Sequence, residues 1–190
     1  VTDAMNDVTR LAWITYTRDD GQVLPLLTTL TDPRGNAVYT NQYDGVGRVI
    51  RQTYADSGYR SISYSAAIGA NGSTTVTDQN SNVSTWSYSW PSSGDGLREG
   101  YHLDSFTDPL GRKTQWAALQ PGSWLDTQIT DYRGRVTNLA WDTARGNLTG
   151  VSWTTPAHLT ASWSYTYDPS FSRVTSATDP LGNVTQYTIN

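Results

Sequence analysis

The octapeptide Thr178-Asp179-Pro180-Leu181-Gly182-Asn183-Val184-Thr185 is one copy of a turn motif that recurs along this chain of 190 residues. Repetition of this kind indicates that one small structural unit is used many times, and it is the first guide to the architecture. Five further copies, the last two of them degenerate, span residues 31–36, 107–112, 130–137, 2–9 and 77–84.

The motif has the residue types of a tight β-hairpin turn. Asp-Pro-Xaa-Gly suits a type I turn, with Asp first, Pro second at its fixed φ and Gly fourth. A glycine with positive φ after a type I turn produces a three-residue hairpin loop with a bulge. We therefore predict turn roles for Asp32, Pro33 and Gly35, for Asp108, Pro109 and Gly111, for Asp131 and Gly134, for Asp179, Pro180 and Gly182, and for Asp3 and Asn6.

The two degenerate copies differ in how well they suit this turn. Asn6 stands where glycine is expected, and asparagine tolerates the left-handed backbone region better than most residues. Ser81 stands at the same place in the other copy and suits it poorly. The copy at residues 77–84 therefore matches the turn least.

A second turn type alternates with the first and begins with an aromatic residue followed by aspartate. It spans residues 43–48 (Tyr-Asp-Gly-Val-Gly-Arg) and residues 141–147, which hold one extra residue. Residues 167–173 look like a decayed copy. The predicted turn residues of this type are Asp44, Gly47, Arg48, Asp142 and Gly146.

The spacing between successive turns predicts short strands. Asp32 and Asp44 are 12 residues apart, and Asp131 and Asp142 are 11 residues apart. A four-residue turn at this interval leaves about seven residues per strand, which is a usual strand length. The pattern therefore predicts an all-β chain built as an antiparallel meander of repeated hairpins.

Composition agrees with this fold class. The sequence holds 8 Trp, 12 Tyr, 2 Phe and 16 Gly, and no window carries a helical apolar stripe. We expect a single repeat region over residues 1–190 with little or no helix, large enough to bury a real core. Because the sequence starts at Val1, we expect it to be a fragment of a longer repeat array.

Several kinds of chemistry lack the residues that they need. No cysteine is present, which excludes disulfides and thiolate chemistry, and no apolar run predicts a membrane span. The net charge is −4 with dispersed Lys and Arg, which argues against a nucleic-acid partner. We find no cofactor or metal motif, and we expect His102 and His158, which lie far apart in sequence, in surface loops.

Two aromatic ladders alternate along predicted strands. Trp86, Tyr88 and Trp90 share one face of a strand because side chains repeat with a period of two, and so do Trp163, Tyr165 and Tyr167. Such rings stabilise a sheet through cross-strand pairs, and packing is the reading that we favour. The alternative is an exposed platform that stacks on sugar rings, which makes these six residues the candidate ligand contacts.

The alternation of Tyr-Asp-x-x-Gly-Arg with Thr-Asp-Pro-x-Gly-Asn-Val-Thr resembles the RHS or YD repeats. That family includes bacterial Rhs polymorphic toxins, wall-associated proteins, the cocoon-forming components of bacterial toxin complexes and the animal teneurins. The most specific matches are residues 43–50 and 178–187, and the resemblance runs from about residue 2 to residue 189. It implies long hairpins that wind into a spiralling sheet, a hollow shell around a toxic C-terminal segment, and a secreted or cell-surface location in bacteria.

Two departures from the family pattern matter. The shells of such proteins are several times longer, so this chain supplies an arc of the wall and not an enclosure. The self-cleaving core of the family ends in a paired DPxG motif, whereas Asp108 and Asp179 are 71 residues apart. Both aspartates are better interpreted as ordinary repeat turns.

Three functions follow as expectations. The first is a non-catalytic structural segment that encloses or displays another segment, such as a toxin or an adhesive domain. The second is a glycan- or receptor-binding β module that uses the aromatic ladders, and the third is a fragment of a self-cleaving core. Open edge strands invite pairing, so we expect flanking repeats of the same or another chain as partners, besides an enclosed polypeptide or a glycan.

Overall fold

The computed structural model describes residues 1–3, 6–18, 21–90, 100–118, 125–154 and 160–189. These residues form strands and turns without a helix, and none of them belongs to a helix that could cross a membrane. The strands are β1 (Arg10–Thr17), β2 (Val23–Thr31), β3 (Ala37–Tyr43), β4 (Val49–Tyr54), β5 (Tyr59–Tyr64), β6 (Gly72–Asp78), β7 (Val83–Ser89), β8 (His102–Thr107), β9 (Lys113–Ala118), β10 (Asp126–Thr130), β11 (Val136–Asp142), β12 (Asn147–Thr154), β13 (Thr160–Tyr167), β14 (Val174–Thr178) and β15 (Val184–Gln186).

The strands follow one another in chain order in one open sheet of 15 antiparallel strands. The predicted all-β meander of hairpins is therefore confirmed. The chain packs as two compact units, Val1–Ser65 with Thr74–Thr85 and Ala66–Ser73 with Trp86–Asn190. We describe each unit by itself below.

The predicted turns share one backbone geometry, which the turn at Asp44 illustrates. The Asp44 N–H donates to the Arg48 carbonyl at 2.8 Å, and the Gly47 N–H donates to the Asp44 carbonyl at 3.1 Å. Gly47 has a φ of 82° and is therefore the left-handed residue of a hairpin loop with a bulge. The same pair of backbone hydrogen bonds closes the turns that begin at Asp3, Asp32, Asp78, Asp108, Asp131 and Asp179.

The copy at residues 77–84 forms the same turn despite its serine. Ser81 has a φ of 65°, close to the 64° of Asn6. The prediction that Ser81 suits this turn poorly was therefore wrong for the backbone. The two hydrogen bonds of the turn hold this non-glycine residue in the left-handed region. The same pair of bonds closes two turns without the motif, one between Tyr54 and Gly58, where Ser57 has a φ of 66°, and one between Arg18 and Gln22, where Gly21 has a φ of 81°.

The two remaining aromatic-Asp turns are longer by one residue. The Gly146 N–H donates to the Asp142 carbonyl at 2.7 Å, across four residues instead of three. The turn at Asp168 is closed by a bond from its N–H to the Arg173 carbonyl, with Ser172 at a φ of 52°. The extra residue seen in the sequence at 141–147 lies within the turn, and the pairing of β11 with β12 shifts by one residue between Ala140 and Trp141.

The sheet has no second layer among the described residues. Ala177, which is 8% exposed, is the one apolar residue there that counts as buried, and no side chain is fully buried. The length of the chain would allow a core, but the described residues bury almost no apolar side chain. Most strand residues are half-buried by their cross-strand neighbours.

Within the second unit the two faces of the sheet differ in chemistry. Directly paired residues of antiparallel strands project on the same side. One row across β9 to β13 is Trp116, Ile129, Thr137, Trp153 and Ala161. We call the side that holds this row the aromatic face.

The neighbouring row projects on the opposite side and is polar. It runs through Ala117, Gln128, Asn138, Ser152 and Ser162. We call this side the polar face. Its amide groups pair across strands, since the Gln128 Nε2 donates to the Asn138 Oδ1 at 3.1 Å.

Gly45 and Gly47 lie in the same turn, and only Gly47 has a positive φ. Substituting each one tests whether the turn depends on the left-handed residue. A Cβ at Gly47 would require the left-handed region and would lie 3.1 Å from the Tyr16 ring, whereas a Cβ at Gly45 meets nothing within 4 Å. We expect Gly47→Ala to lower the free energy of unfolding by about 1–2 kcal/mol, measured by denaturant unfolding. The matched control, Gly45→Ala, should leave it unchanged or slightly higher, and equal effects of the two changes would contradict this account.

Candidate functional site

A carboxylate clamp holds six of the motif turns, those that begin at Asp32, Asp44, Asp78, Asp108, Asp131 and Asp179. At Asp44 the Oδ1 atom accepts the N–H of Val46 at 3.0 Å and the N–H of Arg48 at 2.9 Å. The other oxygen, Oδ2, accepts the Nε–H of Arg48 at 2.8 Å. One side chain thus satisfies two backbone donors of the turn and one side-chain donor of the strand that follows.

The residue that follows the turn glycine, or its Asn or Ser counterpart, completes the clamp. Arginine does so at Asp108 and Asp131, where the Nε of Arg112 and of Arg135 lies 2.6 Å from the carboxylate. Asparagine replaces it elsewhere, and at Asp179 the Asn183 Nδ2 donates at 2.8 Å. The alternation of Arg and Asn in the motif has a physical reason, because both carry an N–H donor that reaches back four residues. Of the residues at this position, only Arg48 was predicted from the sequence to belong to the turn.

Arg48 also links its turn to a ring on the adjacent hairpin. Its guanidinium lies 4.3 Å from the centre of the Tyr64 ring. A cation over a tyrosine face is attracted by the ring. The guanidinium of Arg48 therefore interacts with the Asp44 carboxylate and with the Tyr64 ring, both of which belong to the sheet.

The clamp lowers the pKa of the turn carboxylates below the ordinary aspartate value. At Asp179 the side-chain and backbone hydrogen bonds from Asn183 are the main causes of the lowered pKa. At Asp131 loss of hydration opposes the shift, but the backbone and side-chain hydrogen bonds from Arg135 outweigh it and the pKa still falls. The clamp therefore requires ionised aspartates.

The clamp also occupies Asp108 and Asp179, the two aspartates of the DPxG sequences considered above for self-cleavage. Both carboxylates accept hydrogen bonds within their own turns, and both have a lowered pKa; at Asp108 the donors on Arg112 outweigh the effect of burial. The two turns join β8 to β9 and β14 to β15, so neither carboxylate is placed beside the other in the strand order. The geometry is that of two separate repeat turns.

The aromatic residue of the aromatic-Asp turn has its own partner. The Tyr43 hydroxyl donates to the Leu27 carbonyl at 2.6 Å, and the Tyr167 hydroxyl donates to the Leu148 carbonyl at 2.7 Å. Trp141 stands in the same place and donates its Nε1–H to the Asp126 carbonyl at 2.7 Å. In each case the ring at the end of one strand is tied to the backbone of the strand before it, which explains why the motif accepts tyrosine or tryptophan.

The first aromatic ladder is packed against neighbouring rings. The Trp86 ring centre lies 5.0 Å from that of Phe106, and Tyr88 and Trp90 lie 4.8 Å and 4.7 Å from Tyr101, edge to face. All three ladder residues are half-buried. These distances fall in the range of favourable ring pairs.

The second ladder is more open. Trp163 is 37% exposed and pairs directly with Val151. Tyr165 and Tyr167 are half-buried, and the hydroxyl of Tyr167 is used within the sheet. Trp163 is therefore the candidate contact residue with the most accessible ring, while Trp124, another ring in the sequence, lies outside the described residues.

His102 lies in a polar cluster that sequence reasoning missed. It begins β8 and is 7% exposed, so its expected place in a surface loop was wrong. Its Nδ1 lies 2.8 Å from the Asp104 Oδ1, and its Nε2 lies 2.7 Å from the Asp126 Oδ1. The signal available in the sequence was the His-x-Asp spacing, which puts both side chains on one face of a strand. His158 lies outside the described residues.

The cluster does not have the arrangement of a hydrolytic triad. The Ser89 hydroxyl donates to the Asp104 Oδ1 at 2.9 Å and has the carboxylate, not the imidazole, as its partner. A nucleophile needs a base within reach of its proton. Among the described residues no group of three or more His, Cys, Asp or Glu side chains could hold a metal ion.

A shallow groove of about 240 Å³ on β11 to β13 is lined by Leu139, Val151 and Trp163 and by small polar residues, namely Asn138, Ser152, Ser162 and Ser164. Gly150 and Ala140 also line it. None of its lining residues is an acid, a base or a histidine. The groove offers hydroxyl and amide groups for hydrogen bonding and no proton-transfer pair.

Comparison with known proteins gives little beyond this geometry. No protein-family model matches the sequence, and no curated protein matches it. Among solved structures 29 chains match, and one belongs to the crystal structure of TcdB2-TccC3-Cdc42. That match covers 93% of this chain at 13% sequence identity with a TM-score of 0.29, and this chain spans 14% of the length of the matched one. A likeness at that TM-score carries no argument about family or function.

Two tyrosines of the first unit form a matched test of the hydroxyl bonds. Tyr43→Phe removes a part-buried hydroxyl that donates to a carbonyl, and we expect the free energy of unfolding to fall by about 1 kcal/mol. The Tyr54 hydroxyl is buried without a hydrogen-bond partner, so Tyr54→Phe should leave stability unchanged or raise it. Denaturant unfolding of both variants measures the difference, and an equal loss in both would refute the assigned role.

The clamp also predicts how stability depends on acidic pH. Because the folded pKa of Asp131 is depressed, its contribution is present above the ordinary pKa of 3.8 and is lost as pH falls through the lower folded value. We expect the denaturant midpoint to fall below about pH 4, and Asp131→Asn should make that fall shallower. Asp56→Asn, at an exposed aspartate outside the motif turns, is the control and should keep the wild-type profile; a profile unchanged by Asp131→Asn would count against the clamp.

Proposed function

We propose that this chain is a non-catalytic structural segment of a sheet wall of the RHS/YD-repeat type, in a secreted or cell-surface protein. Its mechanism is mechanical, since the hairpins separate another segment, such as a toxin or an adhesive domain, from the surroundings. The motif resemblance supports the family, and no residue of the described clusters is arranged for catalysis.

The observation that carries this proposal is the single layer with two unlike faces. A sheet with a solvated side and a side for apolar contact normally places the latter against a core, yet the described residues provide none. In the second unit the aromatic face holds Trp116, Trp153 and Trp163. A wall that borders an enclosed, partly unfolded polypeptide would use such a face, because exposed apolar patches mark interaction surfaces.

The polar face fits the opposite side of such a wall. Gln128, Asn138, Ser152 and Ser162 form a row of hydrogen-bonding side chains. These groups can be hydrated without cost, so this side tolerates water while the aromatic side meets the segment that the wall shields.

A glycan-binding module is the second candidate, and Trp163 is the observation in its favour. Its ring is 37% exposed on the aromatic face, and an exposed indole can stack on a sugar ring. This reading requires a ring that can be removed without loss of the fold. It also requires a chain that functions without further strands at its edges.

Light scattering after size exclusion distinguishes the two candidates. Strand β1 pairs with β2 alone among the described strands, and its Ile14 is 48% exposed. A wall segment should associate through such an edge, giving masses above 20.9 kDa that rise with concentration. Ile14→Lys should reduce that association, whereas Ile68→Lys, at a residue that is 62% exposed and outside the strands, should not.

The opposite result would favour the binding module. A monomer at every concentration, with glycan binding that Trp163→Ala abolishes while the unfolding midpoint is kept, would reject the wall. Association that both lysine variants preserve equally would also reject pairing through β1.

A further inference from the structure

His102 is held between two carboxylates from different strands. Asp104 lies two residues further along β8, and Asp126 begins β10. The ring nitrogens lie 2.8 Å and 2.7 Å from their oxygens, and the side chain is almost removed from solvent. Both distances are those of direct hydrogen bonds.

The number of ring protons decides whether both contacts are favourable. A neutral imidazole carries one N–H, so it donates to one carboxylate and turns an unprotonated nitrogen toward the other. Two lone pairs would then face each other at less than 3 Å. The imidazolium form has two N–H donors and satisfies both carboxylates, each as a charge-assisted hydrogen bond.

The surrounding strands contact the Asp104 carboxylate and the backbone of Asp126. Ser89 at the end of β7 donates its hydroxyl to the Asp104 Oδ1 at 2.9 Å. On β11 the Trp141 Nε1–H donates to the Asp126 carbonyl at 2.7 Å. Both acceptor residues are therefore contacted by β7 or β11, and the ring of His102 joins β8 to β10 across β9.

We propose that His102 is a pH-dependent lock that ties β8 to β10 when its ring is protonated and releases one of the two contacts when the ring loses a proton. The lock is a property of the folded sheet and stands whether or not the chain serves as a wall.

The charged groups near the lock are few. Asp104 and Asp126 are the charged partners recorded for His102 in the described part of the chain. On β9 the one charged residue is Lys113, which pairs with Thr107 at the far end of β8. On β11 Asp142 accepts the N–H of Ala144 in its own turn. Lys113 is thus the one other cation among the described residues of β8 to β11, and it lies at the opposite end of β8 from His102.

The direction of the pH dependence follows from the ring's environment. Burial works against the charged ring, but the hydrogen bonds and charges of Asp104 and Asp126 outweigh it and raise the pKa of His102 above the ordinary 6.5. A raised folded pKa gives stability that is fully present below pH 6.5 and is lost as pH rises through the folded value. The lock is closed below pH 6.5 and opens as pH rises through the folded pKa of His102.

The test uses the two histidines of the sequence. In His158→Gln the sole imidazole is that of His102, so its ring resonances can be followed by NMR across pH 5.5 to 9 without overlap. We expect a titration midpoint displaced above 6.5, and Asp126→Asn in the same background should move the midpoint down. A midpoint at or below 6.5, or one that Asp126→Asn leaves in place, would overturn the proposal.

A stability measurement provides the second readout. The denaturant midpoint of the wild type and of His158→Gln should fall between pH 6 and pH 9, and His102→Gln should flatten that fall. An equal pH dependence in His102→Gln would also overturn the lock. If His102→Gln does not fold, the NMR titration of His158→Gln still decides the question.

Discussion

A sheet of a single layer must fix its strand register without a core. In a two-layer domain the buried side of each strand selects the register, because a slip of one residue would turn apolar side chains toward water. Here Ala177 is the one apolar residue that counts as buried among those described. At the motif turns the carboxylate clamp takes over this task, because Asp44 and its equivalents fix which residues face each other at the start of those hairpins.

The clamp and the aromatic ties act at different depths of the hairpin. The aspartate organises the turn itself through backbone donors two and four residues away. The preceding Tyr43 or Trp141 then reaches sideways to a carbonyl of the neighbouring hairpin. The Tyr-Asp dipeptide of the motif thus combines a contact within one turn and a contact between strands, which gives both residues a structural reason to recur.

Much of this arrangement could be predicted from the sequence, because its determinants are local. Asp-Pro-Xaa-Gly sets its own backbone, and the interval of 11 or 12 residues sets strand length. What could not be predicted depends on partners distant in sequence. The burial of His102 depends on Asp126, 24 residues away. The left-handed Ser81 and Ser57 adopt a backbone that their residue type does not favour, since the flanking strands impose it. The near absence of buried apolar side chains could not be predicted either, because residues alternate along a strand in the same way whether or not a second layer covers the sheet.

The strict succession of strands has a consequence for how the chain folds. Every strand pairs with the strand next to it in sequence, so native contacts join residues separated by little more than one hairpin. Contact order is therefore low for an all-β chain, and low contact order is associated with fast folding. Any hairpin can nucleate and the sheet can grow from it in both directions, as in repeat proteins whose units interact with nearest neighbours alone. Because so much of this sequence favours strands, rapid pairing of successive strands shortens the time during which unpaired strand edges are exposed to other chains.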